Sequence, residues 1–405
     1  MNDIPKHRSL SSLAEQSLKK LKIKYPIIQA PMAGTSTPLL ASTISNNGGL
    51  GSLGLGSSNH IQAKKMILET RKLLDKKDLP FNVNLFVHPK PNFNEQVNQK
   101  WINRLKPYFE KYSSTENETK TLDALPKELK IIYQSFGKHS YIEGFDPKEE
   151  DEEYVEMLDV LLETKPPIIS FHFGLPSLKV LKELKDNGSI LLCTATNLEE
   201  AKIIENTKLI DFIIAQGYEA GGHRGSFDLS KNVKDENLST FVLTSLLLKK
   251  SNLPIIAAGG IMNGNHIKAY MDLGCIACQL GTAFIPCSES SADQPYKDLL
   301  FSKASEKTIM TKLISGRPAR SIVNKFTSLQ DELSINDDEI PEYPITYDAG
   351  KQLNALAKKR NEHGFGAHWA GQAAPLARNL DAKELLETLV REWQSQETNG
   401  INSKL

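Results

Sequence analysis

The chain has 405 residues, of which 40% are hydrophobic and 24% charged, and its formal net charge is zero. These values are typical of a globular protein with one large α/β domain and additions, or two to three small domains. No basic excess points to nucleic acid and no acidic excess points to a solvating tail, so we expect no nucleic-acid partner. No run of about 18 apolar residues occurs, so we expect no membrane-spanning helix.

The chain ends carry different signals. The first 22 residues lack the apolar core of a secretory signal and instead predict a helix. The leucines at 10, 13, 18 and 21 and Ser17 share one helical face. The last three residues, Ser403-Lys404-Leu405, form a peroxisomal address that an import receptor would read. The sequence therefore predicts a peroxisomal protein if the source is eukaryotic, and a cytoplasmic one otherwise.

Eight short apolar segments predict β-strands, and helical patterns follow most of them. They lie at residues 25–30, 48–54, 80–86, 167–173, 190–194, 211–216, 254–258 and 277–281. Eight β-then-α units in about 260 residues favour an α/β fold of the (β/α)₈ or TIM-barrel type over an open sheet. We predict a barrel of residues 1–285 and 367–405, an insertion at 87–165 before the fourth strand, and a mainly helical cap at 286–366.

The four cysteines are too few for a disulfide framework in a chain of this length, which favours a reducing compartment. Cys275 and Cys278 form a C-x-x-C pair, but no second pair at zinc spacing follows. The pair lies in the apolar segment that predicts the last strand. We therefore interpret these thiols as core residues and predict no metal site.

Polar side chains and glycines gather at the predicted carboxyl ends of the strands, where TIM barrels carry their chemistry. The residues at these ends are Gln29, Asn84, His172, Thr194, Gln216, Gly259, Gly260 and Gln279. The loop after the sixth strand surrounds His223 with Gly221, Gly222 and two further glycines. Glycines let a backbone approach a ligand closely, and imidazole titrates near neutral pH, so the loop predicts a site. The alternative is a tight turn that carries a surface histidine.

Two glycine-containing strand ends predict a phosphate site. Gly259-Gly260 ends the seventh strand, and the segment Gln279-Leu280-Gly281-Thr282 ends the eighth. Backbone N–H groups in these loops, together with a short helix N-terminus, often bind phosphate in this fold without basic side chains. Two tight turns without a ligand are the alternative, but that alternative explains the pairing of the two loops poorly.

Five motifs together resemble the nitronate monooxygenase family, also called the 2-nitropropane dioxygenase family, and look like its first class. They are Gln29-Ala-Pro-Met32, Ile169-Ser-Phe-His-Phe-Gly174, Gly217-Tyr-Glu-Ala-Gly-Gly-His223, Ala258-Gly-Gly-Ile261 and Gln279-Leu-Gly-Thr282. The resemblance extends from about Tyr25 to the segment that begins at Trp369. It implies bound FMN, held by Gln29, Met32, Asn84, Gln216, Gly221, Gly222, Gly259, Gly260, Gln279, Leu280, Gly281 and Thr282.

The same resemblance implies the reaction and its residues. His223 would be the catalytic histidine beside the flavin, and His172 would act in catalysis by contacting the nitro group. Tyr343, Tyr347 and Lys351 would shape the substrate pocket, and their spacing places them on one face if they are helical. The substrate would be an alkyl nitronate such as propionate 3-nitronate. It would react with O2 through a flavin semiquinone and give a carbonyl product with nitrite or nitrate.

Two alternatives stand beside this hypothesis. A flavin-dependent enoyl reductase resembles the family in the barrel and the phosphate loops, but it would need a nicotinamide site and a long acyl channel. A flavin-binding protein without turnover is the other alternative, and it makes no use of the paired histidines His172 and His223.

Overall fold

A computed structural model describes residues 11–113, 125–130, 136, 152–227 and 235–395. Within these ranges the strands are β1 (Ile27–Gln29), β2 (Gly51–Gly54), β3 (Phe81–Phe86), β4 (Ile168–His172), β5 (Ile190–Ala195), β6 (Phe212–Gln216), β7 (Gly222–His223), β8 (Ile255–Ala258), β9 (Ala277–Leu280), β10 (Thr308–Thr311) and β11 (Ala319–Ile322). The α-helices are α1 (Ser12–Leu21), α2 (Pro38–Asn46), α3 (His60–Leu73), α4 (Glu95–Ser113), α5 (Glu152–Thr164), α6 (Leu178–Asp186), α7 (Leu198–Asn206), α8 (Thr240–Lys250), α9 (Gly264–Leu273), α10 (Gln294–Phe301), α11 (Lys325–Glu332), α12 (Ile345–Lys358) and α13 (Ala382–Gln394).

Eight parallel strands form the predicted TIM barrel. Their order is β1-β9-β8-β6-β5-β4-β3-β2, and every neighbouring pair in that order is parallel. A parallel bridge between Ile28 and Leu50 joins the two ends of this order. The amide of Gln29 donates to Leu50 O at 2.9 Å, and the amide of Leu50 donates to Ile27 O at 3.0 Å. The barrel is therefore closed, and the predicted fold class is confirmed.

Alternating side chains of each strand face the interior and the outer helices, and β6 shows how this positions a site residue. Phe212 and Ile214 pack in the interior cluster, whereas Ile213 and Ala215 pack in the cluster that contains the outer helices. Gln216 follows Ile214 by two residues, so it continues the interior series. A polar residue at that position faces the carboxyl end of the barrel, where a ligand can use it.

The N-terminal helix α1 packs against the other end of the barrel interior. Ala14, Leu18 and Leu21 are buried in one cluster with interior strand residues such as Ile28 and Ile168. The Ser11 side chain caps the helix by accepting from the amide of Ala14 at 3.2 Å. The predicted apolar face is wrong at one position, because Leu13 is 48% exposed.

The cap contains an antiparallel sheet that the sequence did not predict. Strands β10 and β11 pair with each other, and β11 also pairs with β7, which belongs to the loop after β6. Helix α12 begins at Ile345. The prediction of one helical face is therefore wrong for Tyr343, which precedes the helix, whereas Tyr347 and Lys351 lie on it.

Helix α4 belongs to the insertion by sequence but packs with the cap. Its Trp101, Leu105 and Phe109 share a buried cluster with Phe326 of α11 and Leu353 of α12. Helix α5 instead packs near α3 on the outside of the barrel. We propose that the cap unit consists of α4 together with residues 286–366.

The remaining sequence interpretations fall in the outer layer or beyond the described residues. Helix α13 begins after its Asp381 cap and buries Leu385 and Leu389 against the barrel helices, as predicted. Cys275 and Cys278 are free and buried in the core, and burial raises the pKa of the Cys275 thiol to about 12. No helix in the described part of the chain is both long and apolar enough to cross a membrane. Residues 403–405 lie outside that part.

Candidate active site

A cavity of about 480 Å³ opens at the carboxyl ends of the barrel strands, beneath the cap. Its volume lies within the range of pockets that enclose a small-molecule ligand or cofactor. Most of the predicted site residues line it together. They are Met32, Asn84, His172, Gln216, Gly221, Gly222, His223, Gly259, Gly260, Gln279, Gly281, Thr282, Tyr343, Tyr347 and Lys351.

Two predicted cofactor residues do not line this cavity. Gln29 is fully buried, where its Oε1 accepts from the amide of Ser52 at 2.8 Å and its Nε2 donates to Ser36 Oγ at 2.9 Å. Ser36 Oγ in turn accepts from the amide of Met32 at 2.9 Å. The Leu280 side chain is packed in the outer core cluster. Gln29 therefore supports the loop that carries Met32, and Leu280 supports the strand beneath Gly281.

The two glycine-containing strand ends lie side by side at the edge of the cavity. Gly259 and Gly260 have φ values of 121° and 69°, which side chains other than glycine rarely adopt. Thr282 begins a short 3₁₀ turn, and its Oγ1 accepts from the amide of Gly371 at 3.0 Å. The Thr282 hydroxyl hydrogen can still donate to a ligand. This arrangement of glycines, backbone and one hydroxyl is typical of phosphate binding in the fold.

Gln279 provides a second sign of a ligand. It lines the cavity, and its buried Oε1 has no hydrogen-bond partner among the described residues. A buried acceptor without a partner costs about 1–3 kcal/mol. A ligand with N–H donors would remove that cost, and the isoalloxazine ring of a flavin has such a donor. The residues present therefore fit a flavin phosphate together with the flavin ring.

His172 uses both of its ring nitrogens within the protein. Nε2 lies 3.1 Å from the carbonyl oxygen of His223, and Nδ1 lies 3.1 Å from Thr194 Oγ1. A carbonyl only accepts, so Nε2 must carry the proton and Nδ1 accepts from the Thr194 hydroxyl. Burial lowers the pKa of His172 to about 4. His172 is thus a neutral residue that holds the main chain of His223.

The His223 ring lies between the barrel and the cap. Its Nε2 is 2.9 Å from Oγ of Ser315, and its Nδ1 has no hydrogen-bond partner in the part of the chain that the structure describes. Burial, followed by the repulsion that a protonated His172 would exert and by the charge of Arg317, lowers the pKa of His223 to about 3. The imidazole is therefore neutral at physiological pH, with a nitrogen available to the cavity.

Aromatic rings surround His223 on several sides. The centroid distances from its ring are 5.2 Å to Trp369, 5.4 Å to Tyr343, 5.5 Å to Phe173, 6.0 Å to Phe86 and 6.3 Å to Tyr347. Such packing excludes water and favours the uncharged imidazole. Lys351 follows one turn after Tyr347, and its Nζ lies 5.2 Å from the Tyr347 ring centroid.

The main chain of His223 is held as firmly as its ring. Its carbonyl oxygen accepts from Gln216 Nε2 at 3.0 Å as well as from His172. Gln216 Oε1 accepts from the amide of Gly225 at 2.7 Å, so both ends of this amide are used inside the protein. Below the loop, the buried Arg224 guanidinium forms an ion pair with Asp235 at 2.6 Å and donates to Gln216 O.

A family model described as nitronate monooxygenase matches residues 15–392, which is most of the chain. The chain belongs to the nitronate monooxygenase family. It is therefore an oxidoreductase, and the resemblance seen in the sequence motifs is confirmed.

Among the members of the nitronate monooxygenase family, the protein of Paraburkholderia phytofirmans is 50% identical over 378 residues, which are 93% of this chain and 94% of that protein. Among solved structures, a nitroalkane oxidase from Streptomyces ansochromogenes has a TM-score of 0.77 at 33% identity, covering 94% of this chain and 97% of that one. The enoyl reductase domain of MlnA from Bacillus amyloliquefaciens has a TM-score of 0.57 at 11% identity, covering 96% and 98%, which shows the shared fold alone. These bacterial relatives give no support to a peroxisomal address.

Several residues of this nitronate monooxygenase site were not found from the sequence. Phe86 and Phe173 could have been found, because each is the last residue of a predicted strand, where the site was expected. Trp369 lies in the segment where the family resemblance ends, and no site residue was predicted there. Ser315 lies 92 residues from His223 in a region without strand or helix signals, so no local pattern could have indicated it.

Proposed function

We propose that this protein binds FMN at the carboxyl end of the barrel and oxidises alkyl nitronates with O2. The products would be a carbonyl compound and nitrite or nitrate. One observation carries the proposal: the neutral, buried His223 faces the same cavity as the glycine-rich strand ends. The family membership supports the reaction class.

The FMN would be held by groups of known chemistry. Gly259, Gly260, Gly281 and Thr282 would bind its phosphate through backbone N–H groups and one hydroxyl. Gln279 would bind the ring system through the orphaned amide oxygen. The bound flavin supplies the electron-accepting group and the reaction with O2, neither of which protein side chains provide.

The side chains would bind the substrate and handle its proton. A neutral nitroalkane can lose its α-proton to the free nitrogen of His223, while a preformed nitronate anion can accept a hydrogen bond from the protonated form. Tyr343, Tyr347 and Lys351 line the same cavity and would select the substrate. Because both nitrogens of His172 are used, its contact with a nitro group would require the loss of one internal bond.

The alternatives predict different behaviour of the bound flavin. A flavin-dependent enoyl reductase would be reduced by a nicotinamide cofactor, and a flavin-binding protein without turnover would respond to neither reagent. The likeness to an enoyl reductase domain extends only to the fold. The partly buried, neutral imidazole beside the cofactor cradle favours this proposal, since a neutral nitroalkane needs a base to become the nitronate.

The test is anaerobic mixing of the purified holoprotein with propionate 3-nitronate while the visible spectrum is recorded. We expect an oxidised flavin spectrum that changes on mixing and recovers when O2 is admitted. Bleaching by NADH without a response to nitronate would favour the reductase. A protein that purifies without flavin and fails to bind added FMN would overturn the proposal.

The cellular location is a separate proposal. In a eukaryotic source, Ser403-Lys404-Leu405 would direct the protein to peroxisomes through the import receptor, and in a bacterial source the protein would act in the cytoplasm. A fluorescent reporter that ends in residues 395–405 should enter yeast peroxisomes. The same reporter without the last three residues should remain outside, and equal distributions would contradict the proposal.

A further inference from the structure

We propose that Ser315 is a positioning residue that fixes the tautomer of His223, so that proton exchange takes place at Nδ1. The kinetic test of this inference rests on the proposed function, whereas the NMR test does not. Ser315 lies in the cap and is fully buried, so it meets His223 from the side opposite the barrel.

The hydrogen bonds around Ser315 determine which atom donates. Its Oγ lies 3.2 Å from the carbonyl oxygen of Arg317 and 2.9 Å from Nε2 of His223. A serine hydroxyl has one hydrogen, and the carbonyl of Arg317 can only accept it. With its hydrogen donated to that carbonyl, Oγ accepts from Nε2, which places the imidazole hydrogen on Nε2. The amide of Arg317 also points to Oγ, at 3.4 Å, which agrees with an accepting oxygen.

The surroundings keep the ring in this orientation. Gln216 and His172 both donate to the carbonyl oxygen of His223, which fixes the main chain from which the ring projects. Trp369 and Tyr343 pack against the ring itself. A rotated ring would leave the buried hydroxyl of Ser315 without its donor.

The consequence for the reaction is that one nitrogen alone handles the proton. When a nitroalkane reacts, the α-carbon's C–H bond breaks and its electron pair stays on the substrate as the nitronate. The proton forms a new bond with Nδ1 of His223. The Nε2–H bond to Ser315 is present before and after, so the ring need not turn and the resulting N–H points at the nitronate.

The direct test is nitrogen NMR of the holoenzyme labelled with ¹⁵N-histidine, with His223→Asn used to identify the His223 signals. We expect a pyridine-type Nδ1 and a pyrrole-type Nε2 in the unmodified protein at pH 7. In Ser315→Ala the two signals should move towards averaged values, since neither tautomer is then favoured. A pyrrole-type Nδ1 in the unmodified protein would overturn the proposal without any variant.

The kinetic test compares nitroethane with its preformed nitronate. Losing the bond that selects the tautomer should lower kcat/KM of Ser315→Ala for nitroethane about twofold, with kcat rather than KM affected, because about half of the imidazole would then carry the wrong tautomer. The reaction with ethyl nitronate should remain close to that of the parent. Equal losses with both substrates would show that Ser315 has only a structural role and would contradict the proposal.

A matched control separates this effect from the loss of any buried hydroxyl. Ser305 is also buried in the C-terminal region and donates to Ser302 O at 2.9 Å, but it does not line the cavity. Ser305→Ala should change neither the His223 signals nor the ratio of the two rates. If the unmodified protein oxidises no nitronate, the proposed function fails while the NMR result still decides the tautomer.

Discussion

His223, the proposed base, is partly buried and uncharged at neutral pH. Its pKa is lowered to about 3, first by burial and then by repulsion from His172, Arg317 and His88, of which only Arg317 is charged at neutral pH. Binding of an anionic nitronate would oppose these effects, because an adjacent negative charge favours the protonated imidazole. In the proposed reaction, the residue would be a neutral group that takes up a proton only when the anion forms beside it.

Replacement of His223 should separate proton removal from the later steps. A general base contributes about 10²–10⁴-fold, so His223→Asn should lower kcat/KM for nitroethane by about that factor. The loss with preformed ethyl nitronate should be much smaller, since the proton is already gone. The measurement is O2 consumption with both substrates. His60→Asn, on the outer helix α3, should leave both rates unchanged, and full nitroethane activity in His223→Asn would exclude the base role.

The buried histidines should make the protein acid-sensitive. The pKa is lowered from 6.5 to about 4 for His88, His172 and His368, and to about 3 for His223, in each case mainly by burial. Below pH 6.5 the unfolded chain binds protons that the folded chain does not. The free energy of unfolding should therefore be highest above pH 6.5 and fall as the pH approaches 4.

Urea unfolding at pH 7, 6 and 5 tests this expectation. The free energy of unfolding should fall by on the order of 5 kcal/mol between pH 7 and pH 5. The raised pKa of Glu200 acts in the opposite direction and reduces the effect. His368→Asn should remove about a quarter of the pH dependence. A constant free energy of unfolding over this range would contradict the buried neutral state of these histidines.

At the scale of elements, the ends of β8 and β9 form the proposed phosphate site with few side-chain groups. Gly281 illustrates the point, because its backbone conformation is ordinary. A Cβ added there would lie 3.5 Å from Ala30 Cβ and 3.8 Å from Met32 Sδ, which is normal contact. The protein itself therefore does not require glycine at 281, whereas a ligand close to the backbone would.

Gly281→Ala should consequently weaken FMN binding without weakening the fold. We expect the free energy of unfolding of the apoprotein to stay within about 0.5 kcal/mol of the parent. The FMN dissociation constant should rise about tenfold or more, measured by flavin fluorescence titration. Gly188→Ala is the control with the opposite expected result. Gly188 lies in the α6–β5 turn with a φ of 98°, so the change should lower the free energy of unfolding but leave FMN affinity unchanged. Unchanged FMN affinity in Gly281→Ala would place the phosphate elsewhere.

The barrel elements could be predicted from the sequence because their signals are local. The β6 segment, for example, is an apolar run that was predicted at residues 211–216 and is observed at Phe212–Gln216. Strand β11 was missed, because its residues include Arg320 and Ser321 and because it forms by pairing with β10 and, across about a hundred residues, with β7. The glycines and His223 could be found because they form one local motif. The roles of Ser315 and of the inward amide of Gln29 could not be found, because they depend on contacts with residues that are distant in the sequence.

At the scale of the whole molecule, the barrel interior is occupied from both ends. Helix α1 packs apolar side chains against the interior at one end, and the cavity lies at the other. Stability and chemistry are thus placed at opposite ends, as is usual in this fold.

A pair of leucines in α1 tests this division. Leu21 is fully buried and Leu13 is 48% exposed on the same helix. Leu21→Ala should lower the free energy of unfolding by about 2–5 kcal/mol, whereas Leu13→Ala should change it by about 0.5 kcal/mol or less. Urea unfolding gives both values, and the flavin spectrum of the folded protein should be the same in both variants. A similar cost for the two changes would mean that α1 does not fill the barrel end.

The pairing of β7 with β11 has a consequence for recombination between family members. His223 lies opposite Ala319, and Gly222 lies opposite Arg320, so the proposed base occupies a register that the cap's own strand sets. A chimera that takes its cap from one parent and the loop after β6 from another would join two edges that never evolved together. A one-residue slip between them would turn the imidazole to the other face of the ribbon. The smallest unit that can be exchanged to alter the substrate range is therefore the cap together with this loop. The two segments are separate in the gene, so both have to come from the same parent.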